Sequence, residues 1–253
     1  MLMSNSVAIS LLISTAFVGS PPAVHRDRTV DLFNGRDLKG WEGDPRFWSV
    51  KDNAITAVNT AENPTKQNTF LIWRGGTVKD FQLRVEFRLQ GNNSGIQYRS
   101  KDLGQFVVSG YQADMDGADR YTGILYEERG RGILANVGER VSVKADGKAR
   151  KTGTVGDPAG IRAAIKNGGW NEYVITAVGN HIVQAINGKI TVDVTDEDES
   201  RRAMEGILAL QLHAGPPMTV QFRKLRLRVI DTRPHVAQLI PAWDPATLGP
   251  DAA

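Results

Sequence analysis

The chain has no cysteine, only four histidines in 253 residues, and 7% aromatic residues. Without cysteine there are no disulfides, no thiolate-ligated metals and no lipidated N-terminal cysteine. No His-x-x-x-His pair occurs among His25, His181, His213 and His235. Charge of one sign is scarce too, since 31 basic against 28 acidic residues leave +3. Nucleic-acid binding calls for a basic stripe with interleaved aromatics. The nearest candidate, Arg223, Lys224, Arg226 and Arg228, reads as the exposed face of a strand, so no nucleic-acid partner is expected.

The apolar run Val7–Val18 is too short to span a bilayer and has the length of a signal-peptide core, although no Lys or Arg precedes it. Residues 1–22 are therefore expected to direct export to the periplasm or the exterior, and no membrane span is expected. Four prolines and little periodicity mark 231–253 as a C-terminal extension.

What is present is alternation. Phe81–Leu89 places Phe81, Leu83, Val85, Phe87 and Leu89 on one face and charged or amide residues on the other. Strands are also predicted over 173–178, 181–186, 189–194, 206–213 and 220–230, with Asn187-Gly188 as a hairpin turn. Asp157-Pro158 opens a short helix near 158–166, which Gly168-Gly169 stops. The stretch 139–156, rich in Gly, Lys and Thr, reads as a mobile loop. Short strands with frequent turns predict an all-β, two-sheet antiparallel sandwich over about 29–230.

One strand-like segment carries polar residues where a core face would be apolar: Gln112, Asp114 and Asp116 alternate, and Tyr126, Glu127, Glu128, Arg129 and Arg131 follow. Such a face suits a carbohydrate better than a core. Asp114 is the first acid/base candidate; an ion pair to Arg99 or Arg131 is the alternative. His213 shares parity with Gln211 and is the second. Gln97 and Arg99 share a face by strand parity, with Arg99 either contacting substrate or paired to Asp114 or Glu127. Of the adjacent Glu127 and Glu128 only one can face the site, and Glu127 is taken. Arg131 is read as a rim contact, with a solvated loop as the alternative. Trp73 is the tryptophan best placed for stacking on a sugar ring, with Tyr111 and Tyr126 as similar candidates. Trp41, Trp48 and Trp170 are expected to pack in the core or at a sheet edge. No cofactor is evident. Asp114, Asp116 and Asp119 have the oxygen-rich look of a Ca²⁺ loop without full EF-hand spacing, so a divalent metal stays open. The acids Asp196–Glu199 read as a solvated turn.

Read in order, the chain gives Asp31-Leu-Phe-Asn-Gly-Arg-Asp-Leu-Lys-Gly-Trp41, Trp48-Ser-Val, Asn92-Asn-Ser-Gly-Ile-Gln-Tyr-Arg99, Gly110-Tyr-Gln112, Thr122-Gly-Ile-Leu-Tyr126, Trp170-Asn-Glu-Tyr173, Gln211-Leu-His213 and Phe222-Arg223. This series resembles the 3-keto-disaccharide hydrolase family, whose fold is similar to the concanavalin-A-like lectins and glucanases, a jelly roll with one concave sheet. The resemblance implies an enzyme that cleaves 3-keto-glycosides by removing the proton on carbon 2, eliminating the group on carbon 1 and adding water. Many relatives carry Glu where Gln112 stands and Gln where Asp114 stands, so the carboxylate sits one pleat away. A non-catalytic, lectin-like carbohydrate-binding domain is the second reading. The oligomeric state is not legible.

Overall fold

The computed structural model describes residues 28–231 except Asp119. The proposed export segment, His25, His235 and the C-terminal extension lie outside the described residues, as does Asp119 of the Ca²⁺-like loop.

Among the described residues, seventeen strands and one short helix follow in chain order. The first strands are β1 (Arg28–Asp31), β2 (Trp41–Glu42), β3 (Trp48–Lys51), β4 (Ala54–Asn59), β5 (Thr69–Trp73), β6 (Phe81–Gln90), β7 (Asn93–Asp102), β8 (Val108–Asp116) and β9 (Leu125–Glu128). Then come β10 (Gly132–Ala135), β11 (Glu139–Val143), β12 (Ala149–Thr154), α1 (Pro158–Arg162), β13 (Asn171–Val178), β14 (His181–Ile186), β15 (Lys189–Asp196), β16 (Ile207–Leu212) and β17 (Met218–Val229).

They form a sandwich of two sheets. The larger, 10-stranded, runs β12-β11-β15-β14-β13-β6-β17-β4-β3, with β1 on the rest of β17's edge. The smaller, 7-stranded, runs β10-β9-β8-β7-β16-β5-β2. All pairings are antiparallel but one, β11 on β15, which is parallel. The alternation in β6 drives the assembly, since its five apolar side chains are all buried. They meet Ile96, Tyr98, Tyr111, Ala113, Met115, Leu210 and Leu212 of the facing sheet in one continuous core. Each such side chain removed from water contributes about 1.5–3 kcal/mol. Among the described residues, no helix is long and apolar enough to cross a membrane.

Two expectations about this framework are corrected. The predicted loop over 139–156 is instead the hairpin β11–β12, closed by Gly147 N–H donating to Lys144 O at 2.7 Å, with Gly147 at φ 75°. The Asp146-Gly147 pair was the turn signal, and Val141 and Val143 were the inward residues. The helix ends at Arg162 rather than near 166. Asp157 caps it as expected, accepting from Gly160 N–H at 2.8 Å. Beyond its end, Asn171 and Asn187 from the large sheet bond Ala164 O, Lys166 N–H and O, and Gly169 O, so those groups are held outside a helical ladder. Ile161 of α1 packs with Ile124, Val137 and Tyr126, which buttresses one wall of the site described next.

Candidate active site

Strand parity decides what reaches the outer face of the small sheet. In β8, Tyr111, Ala113 and Met115 point into the core, so Gln112, Asp114 and Asp116 point outward. The β16 partners Leu210 and Leu212 point inward, which sends Gln211 outward and aims His213 the same way. A pocket of about 420 Å³ opens above these residues. Its floor and walls include Gln112, Asp114, Asp116, Tyr126, Gln211 and His213, joined by Asn68, Asn92, Asn93 and Glu128. Arg120, Tyr121 and Ile133 also line it; Tyr121 and Ile133 are exposed.

The floor is a chain of amides. Ser100 Oγ donates to Gln97 Oε1 at 2.8 Å, and Gln97 Nε2 donates to Gln112 Oε1 at 2.7 Å. Gln112 Nε2 donates to Asp114 Oδ2 at 2.9 Å, and Asn93 Nδ2 donates to Asp114 Oδ1 at 2.6 Å. Gly95 makes this register possible, because a Cβ there would come within 2.4 Å of the Gln112 side chain. Asp114 is 5% exposed and meets no cation. Its burial pushes the carboxyl up to about 7; the Asn93 and Gln112 hydrogen bonds oppose this, and the charges of Asp116 and Glu128 add to it. Glu128 is likewise bonded by amides only: Asn68 Nδ2 donates at 3.3 Å and Gln211 Nε2 at 3.4 Å. His213 Nδ1 faces Ala214 O at 2.5 Å; a carbonyl only accepts, so Nδ1 carries a proton and Nε2 is the nitrogen left for the pocket.

Gln97, Gln112, Asp114, Tyr126, Gln211 and His213 thus gather at one place. Four other predicted site residues do not. Glu127 points away from the pocket, since Tyr126 faces it and neighbours in a strand face oppositely; Glu128, two residues on from Tyr126, takes its place. Arg131 is neither rim nor solvated. Its side chain is 5% exposed and bonds Glu127 Oε2 at 2.7 Å and Asp196 Oδ2 at 2.6 Å. Burial works against its charge, but these carboxylates outweigh that and raise its pKa. The expected solvated turn at Asp196–Glu199 is corrected in half: Asp196 and Asp198 are buried around that guanidinium, while Glu197 and Glu199 are exposed. Arg99 does not share a face with Gln97: a bulge between Tyr98 and Lys101, with Arg99 at φ 47°, turns its side chain inward. There it donates to Lys79 O and Gly179 O and pairs with Asp80 at 3.2 Å.

Trp73 has the parity of Leu71 and packs on the core; Tyr111 stacks on Tyr98 there. Trp41 and Trp48 are buried. Trp170 lies on the large sheet under the guanidiniums of Arg223 and Arg88, 3.9 and 4.9 Å from its ring centre.

Parity counted from Tyr126 was sufficient to find Glu128. Asn68, Asn92, Arg120 and Tyr121 come from turns and loops, and their sequence carried no periodic signal. Among the described residues, no three acids or histidines gather as a metal site. Asp116 spends its carboxylate on the Ala118 and Arg120 backbone N–H groups.

The site is thus an amide-lined pocket around a buried carboxylate, set on the outer face of one sheet of a two-sheet sandwich. Over residues 28–228 the chain matches the family described as the 3-keto-alpha-glucoside-1,2-lyase-like domain, and it belongs to that family. No curated protein sequence matches it. Among solved structures it is similar to a provisionally named glycosyl hydrolase from Parabacteroides distasonis ATCC 8503, at 19% identity and TM-score 0.55, covering 81% of this chain and 100% of that one. A Bacillus subtilis protein of unknown function with a galectin-like fold aligns at 10% identity and TM-score 0.52, covering 76% and 90%. At these identities the likeness is one of fold.

Proposed function

We propose that the protein cleaves the glycosidic bond of 3-keto-glycosides by elimination and hydration, with Asp114 as the base. The carrying observation is the Asp114 carboxyl, buried, held by two amides and brought up to about 7. A base of that strength is matched to neutral pH, and a ketone on carbon 3 makes the proton on carbon 2 acidic enough for it.

In this reading Asp114 takes the carbon-2 proton and the electron pair moves onto the ketone oxygen. The second N–H of the Asn93 amide, not used on Asp114, supports the enolate oxygen. Collapse of the enolate forms the carbon 1–carbon 2 double bond and breaks the carbon 1–oxygen bond. The departing oxygen takes a proton from protonated His213 Nε2. Water then adds to carbon 1, returning a proton to His213, and Asp114 returns its proton to carbon 2. Glu128 accepts hydrogen bonds from substrate hydroxyls, and the exposed Tyr121 ring offers an apolar face to the sugar.

An NMR time course with a 3-keto-glucoside in deuterated buffer tests this. Loss of the leaving group with deuterium entering carbon 2 is expected. Intact substrate with line broadening would replace the proposal with a lectin-like binding role.

A further inference from the structure

A second, larger cleft of about 660 Å³ adjoins the first, and Glu128 lines both. The register explains the continuity. On the outer face of β8 and β9 the pair Gln112–Tyr126 lies in the first pocket, and the next outward pair is Gly110–Glu128. Two residues along a strand advance roughly 6.5–7 Å, which sets Glu128 one strand repeat from the Gln112–Tyr126 pair. Gly110 lines the second cleft, and at φ 140° a Cβ there would meet Ser100 Oγ at 2.6 Å, so the close approach of β7 and β8 requires glycine.

The two clefts differ in charge. The first holds Asp114, Asp116 and Glu128 against Arg120 alone. The second is lined by Arg99, Lys101, Arg129, Arg131, Arg201 and Arg202 against Glu127, Glu128 and Glu205. Arg99 and Arg131 are consumed by the contacts already described, Arg201 by Asp198, and Arg202 by the exposed Glu199. Glu205 bonds the Thr77 hydroxyl. Among the described residues, Lys101 and Arg129 make no ion pair, and both are exposed at the cleft. Arg129 sits at φ 54° in the β9–β10 turn.

We propose that this basic cleft is a subsite for an anionic group on the leaving-group side of the substrate, a carboxylate or a sulfate, bound by Lys101 and Arg129. The assignment rests on the first pocket being the sugar site. The sugar occupies the amide-lined pocket, the glycosidic bond lies toward Glu128, and the anion lies beyond it among the unpaired cations.

The test uses the full chain and two series of compounds. Calorimetric titration compares phenyl, 4-carboxyphenyl and 4-(sulfooxy)phenyl glucosides; turnover is measured on the same three as 3-keto-glucosides. At least one anionic compound is expected to bind about five- to tenfold more tightly than the phenyl compound, an advantage that shrinks with salt. The two anionic arms tell a carboxylate site from a sulfate site. In Lys101→Ala combined with Arg129→Asn, which tolerates the positive φ, the ratio is expected to fall to about one, while Arg129→Lys keeps most of it. Thermal melts check that each variant is folded. Equal binding by all three compounds, no binding by any, or a preference that survives the double variant overturns the subsite. Turnover without preference leaves the lyase reading standing and removes the subsite. Preference without turnover does the reverse.

Discussion

Glu127 and Glu128 are neighbours in β9, yet their carboxylates end in opposite electrostatic settings. Glu127 turns toward the large sheet and joins Asp196 and Asp198 around the Arg131 guanidinium, with Tyr111 Oη donating to Asp196 at 2.5 Å. Glu128 turns outward and, with Asp114, meets only amide donors. Both sets are buried. A carboxylate saturated by a cation ties elements together. Asp114, held by neutral amides, keeps the cost of its burial, and that cost brings its carboxyl up to about 7. The Arg131 cluster is a clamp between the sheets, and the Asp114 pocket is where proton chemistry is possible.

The contrast can be broken most severely at Asp114. Asp114→Asn is expected to lower kcat/KM on a 3-keto-glucoside by about 10²–10⁴, measured by steady-state kinetics, with the folded state intact. Next is Arg131→Met. It leaves three buried carboxylates without their shared cation, and urea titration should show a loss of about 3–5 kcal/mol.

The pH dependence sharpens the same point. The folded pKa of Asp114 is raised from 3.8 to about 7. The folded state therefore holds this proton more tightly than the unfolded chain does. The associated stability is full below pH ~4, falls as pH rises through about 7, and is level above that. In wild type this amounts to a few kcal/mol; Asp114→Asn should flatten the slope in unfolding curves recorded between pH 4 and 8. As a base, Asp114 also requires kcat/KM to rise through about pH 7. A profile that falls there would assign it the acid role instead.

The adjacent glutamates make a matched pair. Glu128→Gln should cut turnover by tenfold or more with little change in unfolding midpoint. Glu127→Gln should cost about 1–3 kcal/mol of stability and leave the kinetics of the folded enzyme nearly unchanged. Similar effects on both readouts in both variants would dissolve the distinction. The smallest effect is expected at the rim, where Tyr121→Ala should raise KM a few-fold at constant kcat by removing about 0.5–1 kcal/mol of ring contact.

Much of this arrangement was legible from alternation. The polar face of Gln112, Asp114 and Asp116, the shared parity of Gln211 and His213, and the Asn187-Gly188 turn, with φ of 49° and 78°, all follow from a period of two and from turn chemistry. Gln112 and Asp114, where the resemblance implies Glu and Gln, are also understandable in these terms. Both residues face the pocket and bond each other at 2.9 Å, so moving the carboxylate by one pleat keeps it within the site. Where strand parity failed, a local irregularity intervened. The bulge at Arg99 reversed a face that alternation alone assigned outward. At Asp196–Glu199, the burial comes from Arg131 about 65 positions earlier, a partner that composition could not supply.

The sequence by itself therefore determined the strands, the hairpin and which polar residues share the outer face of the small sheet, because these depend on periodicity and on backbone preferences within a few residues. The tertiary structure alone decided which carboxylates meet a cation and which meet only amides. That depends on what the folded chain brings beside each one: Asn93, 21 residues from Asp114, and Gln211, 83 residues from Glu128, both offering neutral donors to carboxylates that are more than nine-tenths buried.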